Sequence, residues 1–216
     1  MSRNPLKALL PADIVSVFSP ELPVEASLLG VETELARKMA EKRYNEFTHG
    51  RHCARLALRQ LGFQDGPIGK GESREPLWPA NITGTISHTS HFAAAAVAPI
   101  ASYQGIGLDM ESDTPLEEKL FKAICMAEEI DLFDDRPGET AKLLFSAKES
   151  IYKCLWPTVQ RFIDFTEMQV ILDTDQQSFS AIPHTDKCGK ELVDRLQGRY
   201  DYYDGLVIST AWIAAE

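Results

Sequence analysis

The alternation of apolar and polar positions divides the first third of the chain into a strand, a helical region and a loop. The run "ADIVSVF" predicts a short strand that ends at Pro20. Residues 31–62, "VETELARKMAEKRYNEFTHGRHCARLALRQLG", predict two helical segments divided at Gly50, with Gly62 as the stop signal. Residues 64–80 contain three prolines and three glycines, which predicts a long ordered loop.

The remaining chain predicts strands in groups, separated by helices. Three strand-like runs come first, "ITGTISHT", "FAAAAVAP" and "QGIGLDME". Helices are predicted over 115–133 and 139–156, the second ending before Pro157. The tail predicts strands in "DFTEMQVILD", "QSFSAI" and "YYDGLVISTAWIAA", with a short helix near 189–197. Because the strands are grouped like hairpins and do not alternate with helices, the predicted fold is α+β.

Composition and charge exclude several classes of protein. The 216 residues carry a net charge of −10, which disfavours non-specific binding to nucleic acid or to an anionic membrane. No apolar run reaches the ~20 residues of a membrane span, and no secretion signal is found. The four cysteines are scattered without a paired spacing, which is typical of reduced thiols in the cytoplasm. We therefore expect a cytoplasmic protein with no membrane span.

The acids Asp109 and Glu111 follow an apolar, glycine-spaced run. Alternate side chains of a strand project from one face, so these carboxylates would lie roughly 7 Å apart at their Cα atoms. Oxygen donors at that spacing suit Mg²⁺, which also accepts water and ligand phosphates. The same pattern is produced by a strand that simply ends in solvated acids, so the motif alone leaves both interpretations open.

The segment "LLFSAKESIYKCL" predicts a helix with two distinct faces. Its apolar stripe consists of Leu144, Ala147, Ile151 and Leu155. Glu149 and Lys153 are four residues apart on another face. They form either an exposed ion pair or a third metal carboxylate followed by a phosphate-binding lysine.

Other polar residues could bind an anion. Arg51, Arg55 and Arg59 are four residues apart in one helix, and Arg74 lies in the proline-bounded loop "GESREPLWP". Ser87 and His88 end a predicted strand. Each has an ordinary structural interpretation as well. A P-loop, a zinc site and a Ser/His/Asp hydrolase are disfavoured because their spacings are missing.

Taken in order, these motifs resemble those of the 4′-phosphopantetheinyl transferase superfamily. Its signature is a (V/I)-G-(I/V)-D-x-E strand followed some forty residues later by (F/W)-(S/C/T)-x-K-E-x-x-x-K on a helix. Here the two read "GIGLDME" and "FSAKESIYK". Upstream, "GRHCARLALRQLG", "GESREPLWP" and "GTISHT" are similar to segments of the single-chain, two-lobed subgroup, in particular its siderophore-synthetase-associated, enterobactin-type branch. The resemblance covers residues ~43–156 well.

The resemblance implies a pseudo-dimer of two similar α+β lobes, residues 1–104 contacting the nucleotide and 105–216 holding the metal, with the active site in a cleft between them. It implies coenzyme A as co-substrate and Mg²⁺, or Mn²⁺, as the metal. The implied site residues are the metal ligands Asp109, Glu111 and Glu149, the catalytic Glu149 and Lys153, and the coenzyme A contacts Arg51, Arg74, Ser87, His88, Lys148 and Lys153. Glu129 matches an acid that lies near the metal in some relatives.

The implied reaction is that of a holo-[acyl-carrier-protein] synthase. A serine of an apo acyl or peptidyl carrier protein attacks the β-phosphate of coenzyme A and releases 3′,5′-ADP. Glu149 is the candidate general base, acting directly or through a water on the metal. The expected enzyme is a monomer that serves fatty-acid, polyketide or siderophore synthesis. Two alternatives are a non-catalytic coenzyme A-binding module and a metal-dependent phosphohydrolase.

Overall fold

Both halves of the chain combine helices with antiparallel sheets. The computed structural model describes residues 4–131, 133 and 135–216. The chain divides into two compact units, Met1–Tyr103 and Gln104–Glu216. Helices and strands occur in both units, which confirms the predicted α+β class.

The first unit consists mainly of one long helix and a three-stranded sheet. Its elements are α1 (Leu6–Leu9), β1 (Val15–Ser19), α2 (Val31–Ala36), α3 (Glu41–Gln60), β2 (Gly69–Lys70), β3 (Pro76–Leu77), β4 (Ile82–His88) and β5 (Ala93–Pro99). The sheet order is β1-β5-β4, with both pairs antiparallel. β2 and β3 form a separate hairpin within the predicted loop.

The alanine run is the central strand of this sheet, as the sequence predicts. In β5, residues Ala93 to Ala98 are fully buried between strands β1 and β4. Cys53, Ala54 and Ala57 of α3 are buried in the same cluster. Small side chains on the helix and the strand therefore allow a close helix–sheet contact.

The predicted break at Gly50 is wrong, whereas the stop at Gly62 is confirmed. Gly50 lies inside α3, and a Cβ at this position would come 2.8 Å from Cγ2 of Ile86 in β4. The glycine therefore serves helix–sheet packing, and the helices are divided at residues 37–40 instead. Gly62 follows the end of α3 with φ +88°, a conformation that glycine adopts without strain.

The second unit consists mainly of a 23-residue helix and a five-stranded sheet. Its elements are β6 (Tyr103–Ser112), α4 (Phe121–Ile124), α5 (Ala127–Ile130), α6 (Pro137–Val159), β7 (Met168–Asp173), β8 (Ser178–Pro183), α7 (Lys190–Asp194), β9 (Gln197–Tyr203) and β10 (Leu206–Ala214), with 3₁₀ turns at Glu118–Leu120 and Phe165–Glu167. The sheet order is β6-β10-β9-β8-β7. Tyr103 itself belongs to the first unit by its contacts.

Three predicted boundaries in the second unit differ from the structure. α6 continues through Pro157 to Val159 and ends at Gln160, which has a left-handed backbone. Because proline lacks an N–H, the turn around Pro157 loses one helical hydrogen bond, but the helix is not stopped. The final predicted strand is a hairpin of β9 and β10 that turns at Asp204 and Gly205, both with positive φ. The predicted helix over 115–133 is replaced by three short helical segments, in a stretch that includes one residue, 132, outside the described part.

All four cysteines are free and buried. Burial raises the pKa of the Cys53 thiol to about 12 and that of Cys125 to about 11. Over the described residues, the helices are too short or too polar to cross a bilayer.

Candidate functional site

Strand β6 approaches helix α6 backbone to backbone, because two of its residues have no side chain. A Cβ on Gly105 would overlap the carbonyl oxygen of Cys154, and one on Gly107 would overlap that of Ser150. Gly105, Gly107, Asp109 and Glu111 alternate along the strand and so share one face. The glycines that precede the acids therefore bring this strand face against α6.

The approach places the two sequence motifs in direct contact. Nζ of Lys153 donates to Oδ1 of Asp109 at 2.7 Å and to the carbonyl oxygen of Leu108 at 3.0 Å. Asp109 is 4% exposed and Lys153 is partly exposed. In the sequence analysis, only the family resemblance placed Asp109 and Lys153 in one site. In the structure, the two side chains form an ion pair.

Glu111 and Glu149 complete a cluster of three acids. Burial raises the pKa of Glu149; Asp109 and Glu111 raise it further, and Lys153 opposes the shift. Burial also raises the pKa of Glu111, again with a contribution from Asp109. The acids are thus close enough for their negative charges to repel one another.

A second lysine, Lys142, was missed by the sequence analysis. Its Nζ lies 3.4 Å from Oε2 of Glu111. Lys142 precedes Glu149 by seven residues, which is two helical turns, so both lie on the same face of α6. That heptad spacing is the sequence signal that could have identified it.

The carboxylates are not arranged as a finished metal centre. Within residues 4–131, 133 and 135–216, no group of three or more His, Cys, Asp or Glu side chains has the geometry to hold a metal ion. Lysines lie against two of the three acids. The donors nevertheless fit a hard divalent cation in kind, since all are carboxylate oxygens and their mutual repulsion would be relieved by a positive ion.

A small cavity of about 90 Å³ opens beside Glu149. Its lining residues come from α6 and from the segment that follows it: Lys148, Glu149, Ile151, Tyr152, Phe162, Ile163, Asp164, Phe165 and Met168. The ring of Tyr152 lies 5.8 Å from that of Trp156, in a tilted contact, and 5.8 Å from that of Phe162, edge to face; Phe162 is 64% exposed. The cavity is therefore a narrow, largely apolar space with an aromatic rim.

Lys148, predicted as a coenzyme A contact, is instead 3% exposed and bonded inside the second unit. Its Nζ donates to Oε2 of Glu129 at 2.7 Å and to the carbonyl oxygens of Ile124 and Phe165, each at 2.8 Å. These three bonds use all three donors of the ammonium group. These contacts leave no donor of Lys148 for a coenzyme A phosphate, which disfavours its predicted role, and they pair Glu129 with this lysine.

In the first unit, Arg51 is a buried cation with few partners. It is 5% exposed, donates to the carbonyl oxygen of Gly69 at 3.1 Å and lies 4.6 Å above the ring of Phe47. Among the described residues its Nε has no hydrogen-bond partner. Burial lowers its pKa to about 10; Glu32 opposes the shift, and the positive charges of Arg55 and Arg43 add to it. Such a guanidinium is suited to an incoming anion.

Ser87 and His88 end strand β4 near the start of α3. Ser87 is buried, and Nε2 of His88 lies 2.7 Å from Nη1 of Arg43. The histidine nitrogen must accept this bond, because arginine only donates. Arg43 was missed by the sequence analysis, although it lies two helical turns before Arg51.

The remaining basic residues of the first unit have different surroundings. Arg55 forms a buried ion pair with Glu32 at 2.6 Å, and Glu32 also accepts from the backbone of Leu29 and Ile68. Arg55 therefore fixes α2 and the loop to α3. Arg74 is exposed in the turn of the β2–β3 hairpin with φ +74°, a conformation unusual for a residue other than glycine.

A larger cavity, of about 440 Å³, lies near the amino-terminal end of α6. It is bordered by Arg136, which precedes that helix, by Glu139 within it, and by Tyr200 and Tyr202 of β9. Glu129 is the one predicted residue on its wall, so this cavity does not coincide with the acid cluster.

Comparisons with known proteins assign both units to one superfamily. Residues 31–98 match the family model of the 4′-phosphopantetheinyl transferase N-terminal domain, and residues 105–210 match that of the 4′-phosphopantetheinyl transferase superfamily. The chain is 34% identical over 175 residues to 4′-phosphopantetheinyl transferase Npt of Nocardia iowensis, covering 80% of this chain and 79% of the relative. It is 33% identical over 222 residues to 4′-phosphopantetheinyl transferase Svp of Streptomyces mobaraensis, covering 97% and 89%. Enterobactin synthase component D of Escherichia coli K12 is 37% identical over 141 residues, covering 63% and 65%.

Proposed function

The chain belongs to the 4′-phosphopantetheinyl transferase superfamily, and from this premise we propose how its own residues move the 4′-phosphopantetheine group of coenzyme A onto a serine of an apo carrier protein. In this reaction the serine oxygen forms a bond to the β-phosphorus of coenzyme A. The bond from that phosphorus to the bridging oxygen breaks, and 3′,5′-ADP leaves. The serine must lose a proton and the leaving oxygen must be stabilised.

Asp109, Glu111 and Glu149 would hold the divalent cation that the family generally uses, Mg²⁺ in our proposal and Mn²⁺ as a substitute. Their oxygen donors and their mutual repulsion support this assignment. When bound, such a cation would supply positive charge to the pyrophosphate. The ammonium groups of Lys153 and Lys142 are already close to two of these acids.

Glu149 takes the proton of the attacking serine in our proposal. Its raised pKa moves the carboxylate toward the operating pH, which makes it a stronger base than an exposed glutamate. Lys153 is held at the same strand by Asp109 and Leu108, so it can donate a hydrogen bond or a proton to the departing oxygen. One helix thus carries the base and the acid one turn apart.

Arg51, Ser87, His88 and Arg74 would contact the nucleotide end of coenzyme A, and we add Arg43. The buried guanidinium of Arg51 and the Arg43–His88 contact support a phosphate site in the first unit. In the second unit, the narrow cavity beside Glu149 would take the pantetheine arm, because its apolar walls lead to the candidate base. The first unit would thus serve nucleotide recognition and the second the chemistry.

The acceptor is a carrier protein, and we propose peptidyl carriers of siderophore-type assembly as preferred acceptors over fatty-acid carriers. The likeness to a protein named enterobactin synthase component D supports this preference. The distribution of charge also bears on where a carrier protein would dock. About two thirds of the 32 acidic residues lie in the second unit, whereas the 22 basic residues are divided evenly between the two units. An acidic carrier would therefore be repelled less by the first unit. We further propose a cytoplasmic monomer, in keeping with its free thiols and its two family regions on one chain.

The observation that carries the mechanism is the ion pair between Lys153 and Asp109, which joins two motifs 44 residues apart. The test is incubation with coenzyme A, Mg²⁺ and a set of apo carriers, followed by mass spectrometry of each carrier. We expect addition of one phosphopantetheine by the native protein and none by Glu149→Gln. A native protein that leaves every carrier unmodified would refute the proposal. Release of 3′,5′-ADP without a carrier would instead indicate the phosphohydrolase.

A further inference from the structure

The buried ion pair of Lys148 and Glu129 connects helix α6 to several other segments of the second unit. Lys148 of α6 donates to the end of α4 at Ile124, to α5 at Glu129 and to the 3₁₀ turn at Phe165. Glu129 in turn accepts from the backbone N–H of Met126 and of Val170, each at 2.7 Å. Four separate segments are thus tied to α6 through one ammonium group and one carboxylate.

Stability alone is a poor explanation for this pair. Both side chains are 2% exposed, and removing two charges from water costs several kcal/mol that a close contact only partly recovers. Two apolar side chains of similar volume would often be as stable. Every hydrogen bond has a preferred length and angle, so the charged pair fixes the positions of the segments that it bonds relative to α6. Apolar packing would not fix them in this way.

The position of Lys148 affects the proposed chemistry because its neighbour in the chain is Glu149. Lys148 precedes Glu149, so fixing the lysine fixes the rotation of α6 at the candidate base. Lys148 also bonds to Phe165 and, through Glu129, to Val170, on either side of Met168. Phe165 and Met168 belong to the wall of the cavity beside Glu149.

We propose that Lys148 and Glu129 are positioning residues, which hold the cavity wall over residues 163–170 at a set distance from Glu149. This inference rests on the proposed function, since it assigns the cavity to the pantetheine arm. Neither residue touches the reacting atoms. Their effect is on the alignment of the arm and the base, so it falls on turnover more than on affinity for the nucleotide end of coenzyme A.

The test replaces both charges at once, by the double variant Lys148→Met with Glu129→Leu. This avoids an unpaired buried charge, but the N–H groups of Met126 and Val170 and the carbonyls of Ile124 and Phe165 lose these partners, so we expect a folded variant with a lower Tm. At saturating carrier, we expect kcat to fall about tenfold or more, while KM for coenzyme A changes less than about threefold. Hydrogen exchange at Val170 and through residues 163–169 should become faster in the variant.

A matched control removes an exposed pair, by Lys190→Met with Asp194→Leu on α7. These side chains lie 2.7 Å apart in solvent, and we expect kcat, KM and exchange in 163–170 to stay as in the native protein. If the buried double variant is too unstable to study, Lys148→Met with Glu129→Gln leaves no unpaired charge, retains an amide oxygen for Val170 and should show the same separation of kcat from KM.

Three results would overturn the proposal. Unchanged kcat in a folded double variant would make the pair purely structural. A raised KM for coenzyme A with unchanged kcat would restore Lys148 as a coenzyme A contact. Unchanged exchange over 163–170 would contradict the claim that the pair holds this segment. Hydrogen exchange is measured without substrate, so it tests the positioning role of Lys148 and Glu129 independently of activity. A native protein that fails to modify any carrier would refute the proposed function and would leave that test valid.

Discussion

The α-carbon of Gly107 faces the carbonyl oxygen of Ser150 so closely that a methyl group on the glycine would overlap it. This contact lies two residues before Asp109 and one residue after Glu149. The distance between strand β6, which carries Asp109, and helix α6, which carries Glu149, is therefore set by the absence of a side chain.

Replacement of Gly107 by alanine should separate β6 from α6. Because the obstructing atom is backbone, it cannot rotate away, and we expect overpacking to lower the free energy of unfolding by about 1–3 kcal/mol or more. The ion pair of Lys153 with Asp109 would lengthen, so kcat should fall at least about tenfold. Thermal denaturation and steady-state kinetics measure the two effects. Gly189→Ala is the control, since a Cβ there meets nothing within 4 Å; equal effects at both glycines would contradict this prediction.

Replacement of Glu149 by glutamine should separate activity from stability. Loss of the candidate base should lower kcat by about 10²-fold or more. The raised pKa of Glu149 means that its ionised form is disfavoured in the folded protein, so the neutral variant should unfold at an equal or higher temperature. Differential scanning calorimetry at pH 7 tests this sign. Glu139→Gln, an exposed position on the same helix, should leave both quantities near the native values, and a clear drop in Tm for Glu149→Gln would be evidence against the acid cluster.

Added Mg²⁺ should stabilise the native protein. A ligand that binds only the folded state contributes about 2.7 kcal/mol at a hundred times its Kd, so Tm should rise with metal concentration. Asp109→Asn should abolish most of that rise. Asp113→Asn, an exposed acid four residues further along the chain, should preserve it. A Tm that is independent of Mg²⁺ in the native protein would remove the basis for a metal site at these carboxylates.

Arg51→Gln should weaken binding of coenzyme A through its 3′-phosphate. Loss of a charge-assisted hydrogen bond at a buried guanidinium should raise KM about tenfold. With 3′-dephospho-coenzyme A as substrate, the native protein and the variant should have similar KM values. Arg59→Gln serves as the control because Arg59 is exposed and paired with Asp65. An equal loss with both substrates would place Arg51 away from the 3′-phosphate.

Acid should destabilise the first unit through His49. Burial, with repulsion from His52 and His88, lowers the pKa of His49 to about 4, from 6.5 in an exposed histidine. Between these values the unfolded chain binds a proton that the folded chain does not, so stability falls as pH decreases from about 6.5 to 4. The loss should approach about 3 kcal/mol. Denaturant unfolding at pH 7 and 4.5 should show a smaller difference for His49→Gln than for the native protein, while the exposed control His184→Gln should match the native protein.

Much of the fold could be predicted because local patterns and tertiary contacts agree. The β5 alanines have a weak preference for strands, but their length and flanking turns indicated a packed strand, and small side chains suit its buried position. Gly50 misled the prediction because a glycine in a helix serves either as a break or as a point of close packing. Only the neighbouring β4, distant in sequence, distinguishes the two.

The candidate site could be predicted as a set of residues but not as a set of contacts. Lys148 illustrates the difference: it lies four residues after Leu144 and three before Ile151, on the apolar stripe, so helical spacing already predicts its burial. Because Lys148 belongs to the family motif, it was predicted to bind coenzyme A, and the burial that its helical position indicates was overlooked. The partner, Glu129, is supplied by a short helix whose position depends on tertiary packing, which no local pattern records.

The four buried cysteines have a consequence for an enzyme that handles a thiol. Coenzyme A ends in a sulfhydryl, and its oxidised forms exchange with accessible protein thiolates. Here each thiol is buried, and burial raises the pKa of each. Thiolate formation is therefore suppressed where exchange would begin. The folded protein should resist mixed disulfides with its own co-substrate, and denaturation should expose all four sulfurs to labelling.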